Sequence, residues 1–378
     1  MIATLVVAVF FTMGSRVIFS PLMPTLQREL DITLSAAGFM FLLISVSYGT
    51  AMLLAGFLSS RIGHGHAIVV ALATIAAGLL VAASAPSAWV LGVGVVMIGS
   101  GAGIYPPSGL VMINTAISEQ RRGTAFSLHE IGPNLALLAA PLVVLALEPL
   151  MGWRGVLVTM AVLTALAGLV FRRWGTADSG RGVAPDFGTT ATILKMRTTL
   201  LAVVVLSAGL AGVQGVYAIL PAYLVSEQGL PSDRVNLLLS LSRVAGILLL
   251  LRGGPIMHRF GRRRTLVGVL LFSALCTLLL GVLQGPLLLV LVVVQPALLS
   301  VLFPAVLASV AEIGERRYQN LTYAFVITLA VAVGAGAAPA LLGVLADLGV
   351  GWAGFFVLAA HMVAATVFLR ATPEFGAS

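Results

Sequence analysis

Charged side chains are scarce in this chain, 9% of its 378 residues, where a soluble domain carries about a quarter. Hydrophobic residues make up 60% and the mean hydropathy is +1.10, which excludes a soluble globular fold. Acidic groups number only 13, and the five histidines are scattered. No Ser-His-Asp arrangement, no metal-ligand spacing and no Gly-x-x-x-x-Gly-Lys phosphate loop can be placed, so neither a membrane enzyme nor ATP-driven transport finds a reactive cluster, and no metal or cofactor is expected. The single Cys276 excludes an intrachain disulfide and a cysteine metal cluster. A secretory leader would begin basic and end at a small-residue cleavage site, but the first apolar run starts at residue 2 and reaches Pro24 without either feature. So short a leading segment leaves room for a longer native N-terminal tail.

Long apolar runs are what the chain has instead. A helix rising about 1.5 Å per residue needs about 20 apolar residues to cross a ~30 Å hydrocarbon core. Breaking the chain at charged, Pro and Gly punctuation gives twelve such runs, at 2–25, 35–59, 67–85, 88–114, 122–146, 152–171, 198–225, 235–251, 265–283, 286–312, 318–346 and 352–370. The expectation is an all-α polytopic membrane protein whose solvent partner is the lipid bilayer. Of the 21 Lys and Arg residues, sixteen fall in loops on the side of the N-terminus and three, Arg28, Arg154 and Arg234, on the other. The positive-inside rule then puts both termini in the cytoplasm, as in a bacterial inner-membrane protein. The net charge of +8 is therefore a matter of orientation, and no basic face with interleaved aromatics marks a nucleic-acid partner.

The longest polar stretch, 172–197, reads as a cytoplasmic linker between a half at 1–171 and a half at 198–378. The halves repeat at offsets of 197 to 199: Pro24 with Pro221, Gly49 with Gly246, Pro106 with Pro304, Pro141 with Pro339, and Gly152-Trp153 with Gly351-Trp352. Gly56-Phe57-Leu58-Ser59-Ser60-Arg61-Ile62-Gly63-His64 likewise returns as Gly254-Pro255-Ile256-Met257-His258-Arg259-Phe260-Gly261-Arg262-Arg263-Arg264. These loops resemble the Gly-x-x-x-Asp-Arg-x-Gly-Arg-Arg signature of the major facilitator superfamily, and the resemblance covers nearly the whole chain. It implies twelve transmembrane helices in two pseudo-symmetric six-helix bundles, working as a monomer. It also implies a gating role for Gly56, Arg61, Gly63, Gly254, Arg259, Gly261 and Arg262; the alternative is tight turns with basic anchors. Ser60 and His258 replace the acidic residue of the signature. Gly99 to Pro106 looks like the family's glycine-rich fourth helix, although Val95 stands where an arginine associated with proton coupling often lies.

Three charges lie deep inside the apolar runs. Arg16 and Arg243 sit roughly 12 to 14 Å below the outer boundary and Glu130 about 12 Å in from the cytoplasmic side, counting by helical rise. An uncompensated charge at the bilayer centre costs at least ~2.5 to 3.5 kcal/mol, so such residues usually face a cavity and mark a pathway. Each has polar neighbours at helical spacing: Thr12, Arg16 and Ser20; Asn236, Ser240 and Arg243; Ser127, Glu130 and Asn134. Gln214, Tyr217, Tyr105 and Gln295 add polar groups on the seventh, fourth and tenth runs. In the family, helices one, four, seven and ten line the central cavity, so the resemblance implies that these groups converge.

Two guanidinium groups against one carboxylate leave a surplus positive charge suited to carboxylate, phosphate or sulfate oxygens. The expectation is a secondary active transporter of a small anion, bound by Arg16, Arg243, Gln214, Tyr217, Tyr105, Gln295 and Asn134. The layout resembles the organic-anion and nitrate-type branches of the superfamily. Glu130 is either a fixed counter-ion or a proton site; His129, about 100° round the same helix, either packs or joins it. Proton symport or anion exchange would supply the energy. The rival within the fold is proton-coupled drug efflux, whose fifth-helix Gly-Pro-x-x-Gly-Gly is only half present at Gly132-Pro133. A receptor without transport is the rival from another class.

Overall fold

The structure is a computed structural model that describes residues 1–175, 180–181, 196–302, 306 and 319–371. The described residues are helical almost throughout, because in lipid a backbone must satisfy its own N–H and C=O groups. The chain forms α1 (Ile2–Val17), α2 (Phe19–Leu30), α3 (Leu34–Ile62), α4 (His64–Ala83), α5 (Ala88–Ala116) and α6 (Glu119–Trp174). Then come α7 (Arg197–Leu210), a π-helical segment (Ala211–Gly215), α8 (Val216–Ser226), α9 (Ser232–Phe260), α10 (Arg262–Leu280) and α11 (Pro286–Leu299). The series ends with α12 (Gln319–Val331), a second π-helical segment (Ala332–Ala337), α13 (Ala338–Asp347) and α14 (Gly351–Ala371). α1 runs into α2 at Ile18, and α6 is two helices joined at Gly152, whose φ of 66° no helix adopts. Among the described residues, counting continuous rods gives six before the linker and six after it. Most of the expected linker, 176–179 and 182–195, lies outside the described residues, as do 303–305 and 307–312 of the tenth expected span.

Two compact units divide the chain: residues 1–32 with 43–185, and residues 33–42 with 186–378. In the first, α1, α4, α5 and α6 bury Leu5, Ala8, Ile68, Leu72, Tyr105 and Phe171 around one core. In the second, the opening of α3 is capped by a residue far along the chain. The Asp347 carboxylate accepts the N–H of Leu34 at 3.1 Å and of Ser35 at 2.8 Å. Helix N-termini leave such donors unpaired, and a carboxylate also suits their positive dipole end.

The repeated signature loops form the same turn. Gly63 (φ 81°, ψ 159°) separates α3 from α4 and Gly261 (φ 81°, ψ 147°) separates α9 from α10, a conformation that a Cβ disfavours. Each glycine N–H closes the preceding helix, on Ser59 at 2.9 Å and Met257 at 2.8 Å. Each glycine carbonyl opens the next, accepting from Ala67 and Thr265 at 3.1 Å.

The second unit departs from plain α-helix twice. Val216 N–H reaches back five residues to Ala211, and Ala338 N–H to Val333, the wider bonding of a π turn. Pro339 follows the second turn directly and has no N–H to continue α bonding. The two π segments meet through bare backbone: a Cβ on Gly215 would collide with the Gly334 carbonyl.

Candidate functional site

Arg16 lies in the last turn of α1, just before the Ile18 break and the donor-less Pro21 and Pro24. Its guanidinium carbon sits 4.3 Å above the centre of the Tyr48 ring, and Tyr48 itself is 7% exposed. Arg243, on α9 and 7% exposed, sits 4.3 Å above the ring of Tyr217, and one of its terminal nitrogens donates to the Val213 carbonyl at 3.2 Å. Stacking a desolvated guanidinium on an aromatic face is worth about 2 kcal/mol and fixes its plane. In both arginines the buried Nε has no hydrogen-bond partner among the described residues, and neither guanidinium has a carboxylate within 4.0 Å there. One buried N–H on each guanidinium is thus left without an acceptor among the described residues.

The two stacks are built from opposite helices. In the first unit the arginine comes from the leading span and the tyrosine from the second; in the second unit the tyrosine comes from α8 and the arginine from α9. At an offset of 198 Arg16 matches Gln214 and Arg243 matches Ser45. Gln214 occupies the first π segment and is half-buried. Around the arginines, Thr12 donates to the Ala8 carbonyl at 2.8 Å and Ser240 to the Asn236 carbonyl at 3.0 Å. With their protons committed to the backbone, both buried hydroxyls are left as acceptors, and the guanidinium groups are the donors nearby.

Three of the expected binding residues are engaged within their own units. Tyr105, 1% exposed, lies with its hydroxyl 2.9 Å from the Leu5 carbonyl and 2.8 Å from His129 Nε2. Gln295, fully buried, donates to the Gly212 carbonyl of the π segment at 3.2 Å and to Thr277 at 3.0 Å. Asn134 donates to the Glu130 carbonyl of its own helix at 2.8 Å. The Glu130 carboxylate is 62% exposed and lies 3.5 Å from His129 Nδ1.

In the signature loops Gly56 is inside α3, Gly63 and Gly261 form the turns, Arg61 and Arg259 are exposed, Arg262 opens α10, and Gly254 is within α9. Arg259 sits 5.5 Å from the ring centre of Phe260. Arg263 caps the end of α14 by donating to the Leu369 and Arg370 carbonyls at 3.1 and 2.7 Å.

A cavity of about 550 Å³ opens between α3 and α5, with Ser47, Thr50 and Ser100 among aliphatic walls. It carries no charge and includes neither arginine. Tyr48 is the site residue that no sequence signal isolated; its spacing of three from the buried Ser45 on the second span is the stripe that would have drawn attention to it.

The sequence profile of the Major Facilitator Superfamily matches residues 5–241 and again 200–377. A multidrug transporter of that superfamily, mfsC of Aspergillus fumigatus, is 25% identical over 154 residues, which are 40% of this chain and 29% of that protein. The chain thus aligns with under a third of that relative's length. A D-xylose-proton symporter superposes with a TM-score of 0.81 at 14% identity, covering 97% of this chain and 96% of the other. A peptide transporter solved with sulfate gives 0.81 at 18%, covering 100% and 95%. A bacterial homologue of the lysosomal transporter Spinster gives 0.70 at 15%, covering 99% and 95%. With that superfamily's profile matched over residues 5–241 and again over 200–377, this chain belongs to the Major Facilitator Superfamily and is a multi-pass membrane protein.

Proposed function

We propose that the chain carries a small anion across the membrane by alternating access, with Arg16 and Arg243 as the groups that hold it. The observation behind this reading is the pair of guanidinium groups, each stacked on a tyrosine, without an acidic partner among the described residues and with a buried Nε left unbonded. A structural ion pair would have brought a carboxylate to each; a cationic solute would be repelled. Gln214, Tyr217 and the acceptor hydroxyls of Thr12 and Ser240 complete the polar surroundings. The energetics we favour is proton symport through the Glu130–His129 pair, with anion exchange as the alternative. The protein works as a monomer, in a bacterial inner membrane with both termini in the cytoplasm.

A thermal-shift screen of the purified protein against nitrate, sulfate, phosphate, formate and short mono- and dicarboxylates tests the reading. A ligand at a hundred times its Kd stabilises the native state by about 2.7 kcal/mol. Arg16→Ala and Arg243→Ala should each abolish both that shift and uptake of the same anion into proteoliposomes while the protein stays folded. Substantial uptake by either variant would remove the anion from the proposal.

The mfsC match favours a second reading, proton-coupled drug efflux. Overexpression that protects cells against several unrelated cationic drugs, with no stabilisation by any anion, selects it over the first.

A further inference from the structure

We infer that the proton is bound by the imidazole of His129, with Tyr105 as its positioning residue and Glu130 as its route to water. The Tyr105 hydroxyl has one proton and two partners, the Leu5 carbonyl at 2.9 Å and His129 Nε2 at 2.8 Å. A carbonyl only accepts. Both contacts are hydrogen bonds at once when Tyr105 donates to Leu5 and the imidazole Nε2–H donates to the Tyr105 oxygen. Neutral His129 then carries its proton on Nε2, and Nδ1 is a bare lone pair.

That lone pair is buried, has no hydrogen-bond partner among the described residues, and faces the Glu130 Oε1 at 3.5 Å. Two acceptors this close repel; one added proton turns that repulsion into attraction between Nδ1–H and the carboxylate, which becomes a hydrogen bond once the two side chains draw together. The side chain of His129 is 7% exposed and that of Glu130 62%, so the carboxylate can take a proton from water, pass it to Nδ1 and return to its ionised form. The net change is one proton moved from water to the imidazole, and release follows the same path in reverse.

Among the other titratable groups on the packed helices, Tyr48 is near enough to feel the Glu130 charge, as Tyr105 does, and the rest lie farther off. His64 of α4 is held by Ser108 at 3.2 Å, Tyr48 of α3 lies under Arg16, and Arg16 of α1 is roughly 16 Å along its helix from Leu5. Protonated His129 adds positive charge to the unit that contains Arg16, so proton and anion would bind cooperatively. Only this last consequence rests on the proposed anion transport; the proton site does not.

Nitrogen NMR on isotope-labelled histidine, with the full chain in lipid nanodiscs, tests the site without any solute. The His129 resonances are those lost in His129→Gln, and independently those that respond to Tyr105→Phe should the first variant fail to fold. In mildly alkaline buffer we expect a neutral ring protonated at Nε2, with a second proton arriving at Nδ1 on acidification. Tyr105→Phe should let the Nδ1–H tautomer appear. Glu130→Gln should reduce the doubly protonated share of the ring relative to wild type in the same acidic buffer. A wild-type ring protonated at Nδ1 in alkaline buffer, or a titration indifferent to Glu130→Gln, would overturn the assignment. Cooperativity is read separately, from whether a stabilising anion found by thermal shift raises the doubly protonated share; a null result there sinks the coupling and leaves the site standing.

Discussion

A guanidinium on a tyrosine face needs the ring and not the hydroxyl. Tyr48→Phe should therefore keep the Arg16 stack, and Tyr48→Leu should lose it at a cost of about 2 kcal/mol. The same contrast applies at Tyr217 beneath Arg243. The check is thermal unfolding together with anion uptake: Phe variants close to wild type, Leu variants with weakened apparent affinity. The arginines were legible in the sequence because a permanent charge inside an apolar run has no ordinary explanation. Their platforms were not, because an aromatic residue in a membrane helix is unexceptional until its neighbour across the interface is known. Tyr105 and Gln295 illustrate the converse. Both are polar groups in apolar runs, yet they face their own unit and bond a carbonyl there, a difference of helix rotation that single-helix spacing cannot decide without its partners.

Among the elements, turns and π segments have opposite legibility. Gly63 and Gly261 recur at one offset and sit at positive φ, so the repeat in sequence is a repeat in backbone. Gly63→Ala and Gly261→Ala should each destabilise by roughly 1 to 2 kcal/mol, the penalty of a Cβ in that region, measured by denaturant or thermal unfolding. The π segments carry no comparable mark. Each amounts to one extra residue in an α-helix, set by the close approach of Gly215 to Gly334 and by the Gln295 amide on the Gly212 carbonyl, contacts that join distant segments. Deleting Val213 should restore α bonding and turn Gln214 about 100° round its helix. We expect such a variant to insert and fold yet lose uptake; unimpaired uptake would make the π turn dispensable.

Among the described residues, each of the twelve apolar runs holds a helical rod, because the bilayer leaves the backbone no other option. The assignment of 33–42 to the second unit was not legible, since it depends on Asp347 meeting the first turn of α3 from more than three hundred residues away. Asp347→Asn removes the charge from that cap and should lower stability by about 1 kcal/mol, read as a drop in unfolding temperature. The exchanged helices of the two arginine stacks have a historical consequence. If the halves arose by duplication, an inherited stack would place arginine and tyrosine at equivalent positions in both copies. Here the helices are exchanged and the matching positions hold other residues, Gln214 opposite Arg16 and Ser45 opposite Arg243, so the two stacks are not copies of one another: each half flattens and immobilises its cation with its own pair of residues.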